Sequence, residues 1–222
     1  MMRRTLTTLS LVVLAAAPLS AQMAGMDHDP TKKIDGSAGL PAGWHGRTDR
    51  ATDKLTDAKF VGMGPGFHVT SGPAAVYWNT KYAATGPFVA TTSVTQTKAP
   101  MHPEAYGIFF MGKQLDTPEQ NYAYFLVRGD GKFLVNHRAG AVIHKIVPWT
   151  DNAAVHKADA AGKATNVLTV DASKPDSVRL LVNGTQVAAL EGSHLGGTDG
   201  LVGLRVNHNL DVHVGELTVT KK

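Results

Sequence analysis

The sequence predicts an antiparallel β-sandwich, and three observations lead to this fold class. Short apolar runs separated by turn residues recur from Phe60 to the C-terminus. Many of these runs alternate with period two and are rich in Val, Tyr, Phe and Thr, the residue types that fit a pleated, half-buried sheet surface. No segment of 12 or more residues carries a convincing helical stripe. About 200 residues are enough for one core, and nothing in the sequence indicates a second.

The predicted strands alternate apolar and polar residues, so each should bury one face and leave the other free. In chain order they are FHVT, AAVYW, PFVATTSVTQ, AYGIFFMG, NYAYFLVR, KFLVNHR, VIHKIV, NVLTV, SVRLLV, TQVAAL, LVGLRV and LDVHVGELTV.

Three tight turns support the pairing of consecutive strands. Gly129-Asp130-Gly131 separates two alternating runs, and Asn207 to Asn209 form a bend between two others. Asn183-Gly184 supplies the two positive φ angles of a type I′ turn, which predicts a hairpin between strands 177–182 and 185–190.

Two tripeptides at these turns admit a second interpretation. Asn183-Gly184-Thr185 matches an N-glycan acceptor, and Arg128-Gly129-Asp130 matches an adhesion tripeptide. The alternating strands on both sides of each tripeptide favour a plain turn in both cases.

The N-terminus has the three parts of a secretory signal peptide. Arg3 and Arg4 precede an apolar run, and small residues follow at Ser20 and Ala21. We expect a signal peptide over residues 1–21, an irregular leader over 22–59 and the sandwich over 60–222. The apolar run is too short for a permanent anchor, so the sequence predicts a secreted or periplasmic protein without a membrane span.

Charge and cysteine content exclude some classes of protein. Without Arg3 and Arg4 the chain keeps 20 basic residues against 18 acidic ones, a net charge of +2. No run of Lys and Arg forms a basic stripe, so a nucleic-acid partner is not expected. The chain has no cysteine, so its stability must come from the core rather than from disulfides.

Several segments resemble the concanavalin A-like or laminin G-like jelly-roll domains of exported bacterial proteins. The resemblance covers residues 60–220 and is carried by AYGIFFMG, NYAYFLVRGDGKFLV, NVLTV, VRLLVNGTQVA and DGLVGLRV. The matching residues are Asn166, Leu168, Val170, Leu181, Asn183, Gly184, Gly200, Gly203, Leu204 and Arg205. The resemblance implies a jelly-roll sandwich, and it implies function only weakly because one fold hosts many activities.

Related domains include 3-keto-disaccharide hydrolases, but this chain departs from the enzymes. Jelly-roll glycosidases that resemble laminarinases alternate acidic residues along one strand, since hydrolysis needs an acid and a nucleophile on one face. No such run occurs here. Where the 3-keto-disaccharide hydrolases tend to carry a Tyr-Glu-Val-Gln-like strand, this chain has Tyr122-Ala123-Tyr124-Phe125. Glu104 is the one candidate catalytic acid, because it lies beside an aromatic strand.

Period two predicts a ligand-binding face on the strand 121–128. Tyr122, Tyr124 and Arg128 fall on one side, whereas Ala123, Phe125 and Val127 fall on the other and should be core. The following hairpin should bring Asn136 and Arg138 near the two tyrosines, and Tyr106 should extend the surface. Tyrosine rings stack on the C–H faces of sugars, and Arg and Asn bind hydroxyls. The alternative is that the tyrosines pack under a loop with their hydroxyls at the rim.

A second candidate face lies near the C-terminus. Arg205 and Asn207 share one side of a predicted strand, and Asp211 and His213 share a side of the next. These four residues would bind a polar ligand if a hairpin gathered them, although a solvated sheet face gives the same pattern.

Metal binding has two weak candidates. Met23, Met26 and His28 in the leader are soft and borderline ligands that suit copper. Asp116, Asp130 and Asp199 in predicted loops are hard ligands that suit Ca²⁺. The ten scattered histidines do not form a zinc pattern, so no cofactor is required.

These observations together predict an exported, non-catalytic module that binds a glycan or another cell-surface polymer. The alternatives are a glycoside hydrolase of the 3-keto-disaccharide type and a periplasmic copper-binding protein. The sequence does not specify the oligomeric state.

Overall fold

The computed structural model describes residues 31, 32, 34, 39–174 and 176–222, apart from the side chains of Ser193 and His194. Within these residues fifteen strands form two antiparallel sheets that pack face to face, which confirms the predicted β-sandwich. The helical elements described are a 3-10 turn (Leu55–Asp57) and one short helix, α1 (Gly192–Leu195). No helix in this part of the chain is long and apolar enough to cross a membrane.

The first sheet has seven strands. In spatial order they are β1 (Trp44–Thr48), β4 (Ala75–Ala84), β13 (Gly200–Val206), β6 (Ala105–Lys113), β7 (Asn121–Arg128), β8 (Lys132–Ala139) and β9 (Val142–Asp151).

The second sheet has eight strands. Seven of them follow one another in space as β12 (Thr185–Glu191), β11 (Ser177–Val182), β10 (Ala164–Lys174), β5 (Phe88–Gln96), β14 (Asp211–Val214), β3 (Phe67–Ser71) and β2 (Ala58–Gly62). The eighth, β15 (Thr218–Lys221), pairs with β5 as well.

Two of the three predicted turns, at Gly129–Gly131 and at Asn183-Gly184, are hairpin turns. Asn183 and Gly184 have φ angles of 51° and 81°, and Val182 pairs with Thr185 as a type I′ turn requires. The Asn183 Nδ2 donates to the carbonyl of Ala154 and to Oδ1 of Asn166, at 2.8 and 2.9 Å. This amide therefore has a structural role in the turn. Gly131, at φ 88°, closes the turn between β7 and β8.

The strands begin earlier than the sequence predicts. β1 and the first two residues of β2, Ala58 and Lys59, lie within residues 22–59, which were expected to be irregular. β1 pairs with β4 over five residues and forms one edge of the seven-stranded sheet. The prediction missed both strands because WHGRT and AKFVG carry few branched apolar residues; the sheet neighbours stabilise them instead.

The main core lies between the sheets and takes residues from both. Ala123, Phe125 and Val127 of β7 belong to it, as their alternation predicts, and they face Leu168 and Val170 of β10. Each large apolar side chain buried in this way contributes about 1.5–3 kcal/mol. The opposite faces of the two sheets point outward.

The outer face of the eight-stranded sheet is polar. Cross-strand threonine pairs bridge β5 and β10, with Oγ1 to Oγ1 distances of 3.0 Å for Thr91 and Thr169 and 2.8 Å for Thr95 and Thr165. This pattern is typical of a solvated sheet face.

Candidate ligand-binding face of the seven-stranded sheet

The register between β7 and β8 brings predicted site residues together. Tyr122 lies directly opposite Arg138, and Tyr124 lies opposite Asn136. The Asn136 Nδ2 donates a hydrogen bond of 3.0 Å to the Tyr124 hydroxyl. The predicted proximity of these four residues is therefore confirmed, and all four lie on the outer face.

The rings of Tyr122 and Tyr124 are buried on this outer face. They belong to a second apolar cluster, which is separate from the core between the sheets and includes Trp78, Phe109 and Leu115. Their ring centroids lie 5.8 Å apart, and Phe109 approaches Tyr122 at 5.4 Å. Leu115 comes from the connection between β6 and β7, so this connection helps to cover the rings.

An ionic cluster completes the cover over the two tyrosines. We call Asp49, Arg138 and Arg205 the Asp49 cluster. Arg205 donates from Nη1 and Nη2 to the two carboxylate oxygens of Asp49, at 2.8 and 2.6 Å, and Arg138 Nη1 lies 3.2 Å from the same carboxylate. Arg205 also donates to the Tyr122 hydroxyl at 3.3 Å, and its guanidinium carbon lies 4.9 Å from the Tyr124 ring centroid. The rings of Tyr122 and Tyr124 therefore lie beneath charged groups.

The position of Asp49 shows that groups from distant strands meet over the outer face. Asp49 directly follows β1, and four strands separate β1 from β8 in the sheet. The carboxylate nevertheless reaches Arg138 of β8, and the Asp49 carbonyl accepts a hydrogen bond from the same guanidinium at 3.5 Å. The Asp49 N–H still donates to the carbonyl of Ala74, just before β4, at 2.9 Å, so the arginine side chains make the connection across the face.

The ion pairs outweigh burial and set the charge states in this cluster. Burial alone would raise the pKa of Asp49, but the adjacent Arg205 guanidinium and Arg138 outweigh it and hold this pKa below its usual value. Burial would lower the pKa of Arg205, yet the charge of Asp49 raises it. Both groups stay ionised at neutral pH, so Arg138 shares its counterion with a buried arginine.

The accessible part of the face lies along β8 and β9. We call this the β8–β9 strip. It is defined by Asn136, Arg138, Lys145 and Trp149, together with Arg128 from the end of β7. The Trp149 side chain is 37% exposed, and the Arg128 guanidinium carbon lies 4.3 Å from the centroid of its ring. Arg128 is fixed by Asp130, with Nε to Oδ1 at 2.8 Å and Nη2 to Oδ2 at 2.7 Å. Lys145 lies opposite Asn136.

Tyr106 does not belong to this face. Its ring is fully buried in the core between the sheets, and its hydroxyl accepts a hydrogen bond of 3.2 Å from Asn166 Nδ2. Burial raises the pKa of this hydroxyl above its usual value. The expectation that Tyr106 extends the ligand surface is corrected, because no ligand can reach a ring between the sheets.

The second candidate face is divided between different surfaces. Arg205 lies on the seven-stranded sheet within the Asp49 cluster, while Asp211 and His213 lie on the outer face of the other sheet. There Asp211 binds His68 and Lys98, at 2.9 and 2.7 Å. The bend through Asn207 connects the two sheets, so it is not a hairpin. These four residues do not form one site.

Glu104 lies near the same bend. Its Oε2 accepts a hydrogen bond of 3.1 Å from Asn207 Nδ2, and its Oε1 lies 3.3 Å from Nε2 of His208. Two contacts from the β13–β14 connection thus hold the carboxylate just before the start of β6.

The metal candidates are not brought together. Met23, Met26 and His28 lie outside the described residues. Asp116, Asp130 and Asp199 occupy three different connections. Among the described residues no group of three or more His, Cys, Asp or Glu side chains could hold a metal ion. Copper binding by the leader and a calcium requirement stay predictions.

Two important residues of the face, Asp49 and Trp149, were not predicted from the sequence. Asp49 stood in the stretch expected to be irregular, and no local pattern marks it as a partner of Arg205. Trp149 follows Pro148 at the end of a run that was predicted only as far as Val147. Its neighbour Arg128 lies 21 residues away in the sequence and on another strand, so no local pattern reveals the contact.

Solved structures share this fold. The carbohydrate-binding module CBM66 from Bacillus subtilis matches with a TM-score of 0.56 at 13% identity, over 84% of this chain and 100% of that one. A Bacillus subtilis protein of unknown function with a galectin-like fold matches with a TM-score of 0.53 at 14% identity, over 80% of this chain and 89% of that one. A Bacteroides ovatus GH16 protein from a mixed-linkage glucan locus was solved in complex with a G4G4G3G product. It matches with a TM-score of 0.53 at 8% identity, over 82% of this chain and 97% of that one.

The likeness shows a jelly-roll fold of the galectin-like or concanavalin A-like kind. No protein-family model matches the chain, and no curated protein sequence matches it. The function of this chain is therefore inferred from the geometry of its own surfaces.

Proposed function

We propose that this protein is a non-catalytic module that binds a glycan or a related cell-surface polymer along the β8–β9 strip. The observation that carries the proposal is the exposed indole of Trp149, which lies beside a row of fixed polar side chains on one sheet face. Trp149 takes the stacking role that the sequence had assigned to Tyr122 and Tyr124.

The strip combines the two kinds of contact that a sugar ring needs. An indole ring offers a flat apolar surface for C–H groups, while Arg and Asn side chains bind hydroxyls through several donors. Asn136 and Arg138 follow one another on the same face of β8, with Lys145 opposite Asn136. From Lys132 to Arg138 the strand runs about 20 Å, which accommodates several sugar units in line.

The buried tyrosines support the strip from below. The Tyr124 hydroxyl accepts a hydrogen bond from Asn136, and Asp49 holds Arg138. Arg138 also donates from Nε to the Gly140 carbonyl at 3.0 Å. Side chains that are already fixed lose little conformational entropy when a ligand binds, so this arrangement favours recognition.

The carboxylates around the strip favour binding over hydrolysis. Asp49 is held by two arginines, Asp130 by Arg128, and Asp151 lies 3.6 Å from Lys132. A glycosidase needs one carboxyl group that stays protonated as the acid and a second as base or nucleophile. The pKa of Asp49 is shifted in the opposite direction, so we assign no catalytic residue.

Two further observations agree with the proposal. The fold is shared with a carbohydrate-binding module, although a likeness at 13% identity supports a common fold and not a common function. The predicted signal peptide would export the chain to the periplasm or the exterior, where polymeric glycans are found.

The test is a glycan array that includes neutral and acidic oligosaccharides, probed with the wild-type chain in the presence and absence of Ca²⁺. Each ligand found is then titrated against Trp149→Ala and against Ile146→Ala, a matched control on the same strand with 38% exposure. We expect Trp149→Ala to weaken binding at least about tenfold, or about 1.4 kcal/mol, and Ile146→Ala to leave it unchanged. An array without any bound glycan, or equal binding by both variants, would contradict the proposal.

A further inference from the structure

A second cleft lies at the other edge of the seven-stranded sheet. Its volume is about 240 Å³, and it lies where the start of β1 meets the β2–β3 turn, the end of β4 and the β14–β15 connection. Its lining residues are Pro41, Trp44, Pro65, Gly66, Phe67, Lys81, Tyr82, Gly215, Glu216 and Leu217. None of them belongs to a site predicted from the sequence or to the β8–β9 strip.

Three aromatic rings form one wall of this cleft. Trp44 packs edge-on against Phe67 with ring centroids 4.9 Å apart, and it lies 5.8 Å from the Tyr82 ring. Phe67 is buried, whereas Trp44 and Tyr82 are half-buried and keep part of their rings accessible. Packing against the core therefore fixes the rings without covering them, as a stacking platform requires.

The rim of the cleft carries one positive and one negative side chain. The Lys81 ammonium lies 4.7 Å from the Tyr82 ring centroid, and both Lys81 and Glu216 are exposed. Lysine only donates hydrogen bonds and an ionised carboxylate only accepts them. A hydroxyl does both, so neighbouring hydroxyls of one ligand satisfy the two side chains together.

Charge and size restrict the ligand further. The Lys81 charge over the Tyr82 ring disfavours a cation, and the Glu216 carboxylate disfavours an anion. The volume falls below the roughly 300 Å³ at which sites for drug-sized ligands begin. The cleft therefore suits one neutral ring with several hydroxyls better than a chain of rings.

We propose that this cleft binds a single neutral pyranose unit, with its C–H face on Trp44, its edge against Tyr82 and its hydroxyls on Lys81 and Glu216. The two rings are tilted by 56° to each other, so one flat sugar face stacks on only one of them. The site is separate from the β8–β9 strip, because β1 and β9 form opposite edges of the seven-stranded sheet. Six inter-strand spacings separate them, or about 29 Å. One protein molecule thereby gains two independent sugar contacts.

The experiment uses the full chain and the indole N–H resonances of its three tryptophans, Trp44, Trp78 and Trp149, assigned through single Trp→Phe variants. Methyl glycosides of glucose, galactose, mannose and xylose are titrated to about 50 mM, well above the millimolar Kd of such a small contact. We expect a saturable shift of the Trp44 resonance with at least one of them.

The variants Lys81→Ala and Glu216→Ala test the polar contacts, since both residues are exposed and their loss leaves the core intact. We expect each to weaken binding at least about fivefold, while Lys59→Ala, an exposed lysine on β2, has no effect. A Trp44 resonance that no methyl glycoside shifts would overturn the proposal. Binding that Lys81→Ala and Glu216→Ala both leave unchanged would overturn it as well.

The outcome is distinguishable from that for the β8–β9 strip. Trp149→Ala should weaken polymer binding at the strip at least about tenfold and leave the Trp44 titration unchanged. If the array identifies a polymer while Trp44 stays silent, only the second site fails. If Trp44 titrates while Trp149→Ala has no effect on the polymer, only the strip fails.

Discussion

The guanidinium of Arg205 binds the carboxylate of Asp49 in a two-pronged ion pair, with nitrogen to oxygen distances of 2.8 and 2.6 Å. Arg205 lies on an inner strand of the sheet, and Asp49 follows its edge strand. The pair joins the segment after β1 to the middle of the sheet and covers the rings of Tyr122 and Tyr124. This one contact therefore decides which side chains of the face a ligand can reach.

Loss of the Asp49 carboxylate should destabilise the protein. Asp49→Asn leaves the buried Arg205 charge without its counterion, and we expect the free energy of unfolding at pH 7 to fall by about 3 kcal/mol. Urea titration followed by circular dichroism measures this change. The control is Asp116→Asn, an exposed aspartate in the β6–β7 connection, which should stay within about 0.5 kcal/mol of wild type.

The effect of Asp49 should depend on pH with a definite sign. The pKa of Asp49 lies below 3.8 in the folded protein and near 3.8 in the unfolded chain. The carboxylate therefore contributes its full stabilisation above about pH 4 and loses it as the pH falls through the folded pKa. The stability gap between wild type and Asp49→Asn should narrow below pH 4. A gap that stays constant down to about pH 2 would show that the ion pair is not its cause.

The turn at Asn183 should tolerate little change. Asn183→Ala removes an amide that accepts from Val167 N–H and donates to Ala154 and Asn166, and it places alanine at a φ of 51°. We expect a loss of about 2–3 kcal/mol in the free energy of unfolding. Thr185→Ala also destroys the glycan-acceptor tripeptide but should cost less than about 1 kcal/mol. Equal losses in both variants would argue against the structural role of the amide.

Gly203 should resist any side chain. A Cβ at this position of β13 would collide with the carbonyl oxygen of Tyr77 and approach the Phe109 ring to 2.5 Å. We expect Gly203→Ala to destabilise the protein by about 3 kcal/mol, because a backbone carbonyl cannot move aside. Thermal unfolding provides the comparison with Gly62→Ala, at which nothing lies within 4 Å of the added atom. If both variants melt together, the outer-face packing around Phe109 is looser than described.

Tyr106 should affect stability and not ligand binding. Tyr106→Phe removes the hydroxyl that accepts from Asn166, at a cost of about 1 kcal/mol. The affinity for a glycan identified on the array should not change, since the ring lies between the sheets. A titration that shows weaker binding by a fully folded Tyr106→Phe would restore Tyr106 to the ligand face.

The hairpins were predictable because their causes are local. Asn-Gly dictates the turn at residues 183 and 184, and alternation along β7 places Phe125 in the core and Tyr124 on the opposite side. The role of the bend at Asn207 was not predictable from its local sequence. The same turn residues serve a hairpin within one sheet and a connection between two sheets, so sequence alone did not separate Arg205 from Asp211.

The accessibility of the face was beyond local reasoning for another reason. Tyr122 and Tyr124 are covered by Asp49, which lies more than 70 residues earlier in the chain. The alternation of residues along a strand shows on which side of the sheet a ring lies. It does not show which residues from elsewhere in the chain pack over that side. Trp149 was missed because irregular pairing between β8 and β9 interrupts the period-two pattern near Val135 and Val147.

The most direct test of the account is to map the bound polymer on the protein by amide chemical shifts in the ¹⁵N-labelled chain, using the tightest oligosaccharide from the array. The account predicts that the largest shifts lie in β8 and β9 and at the Trp149 indole N–H, with smaller shifts around Arg128. Shifts concentrated on the threonine-rich outer face of the eight-stranded sheet would contradict it, because the ligand would then bind where no exposed indole lies.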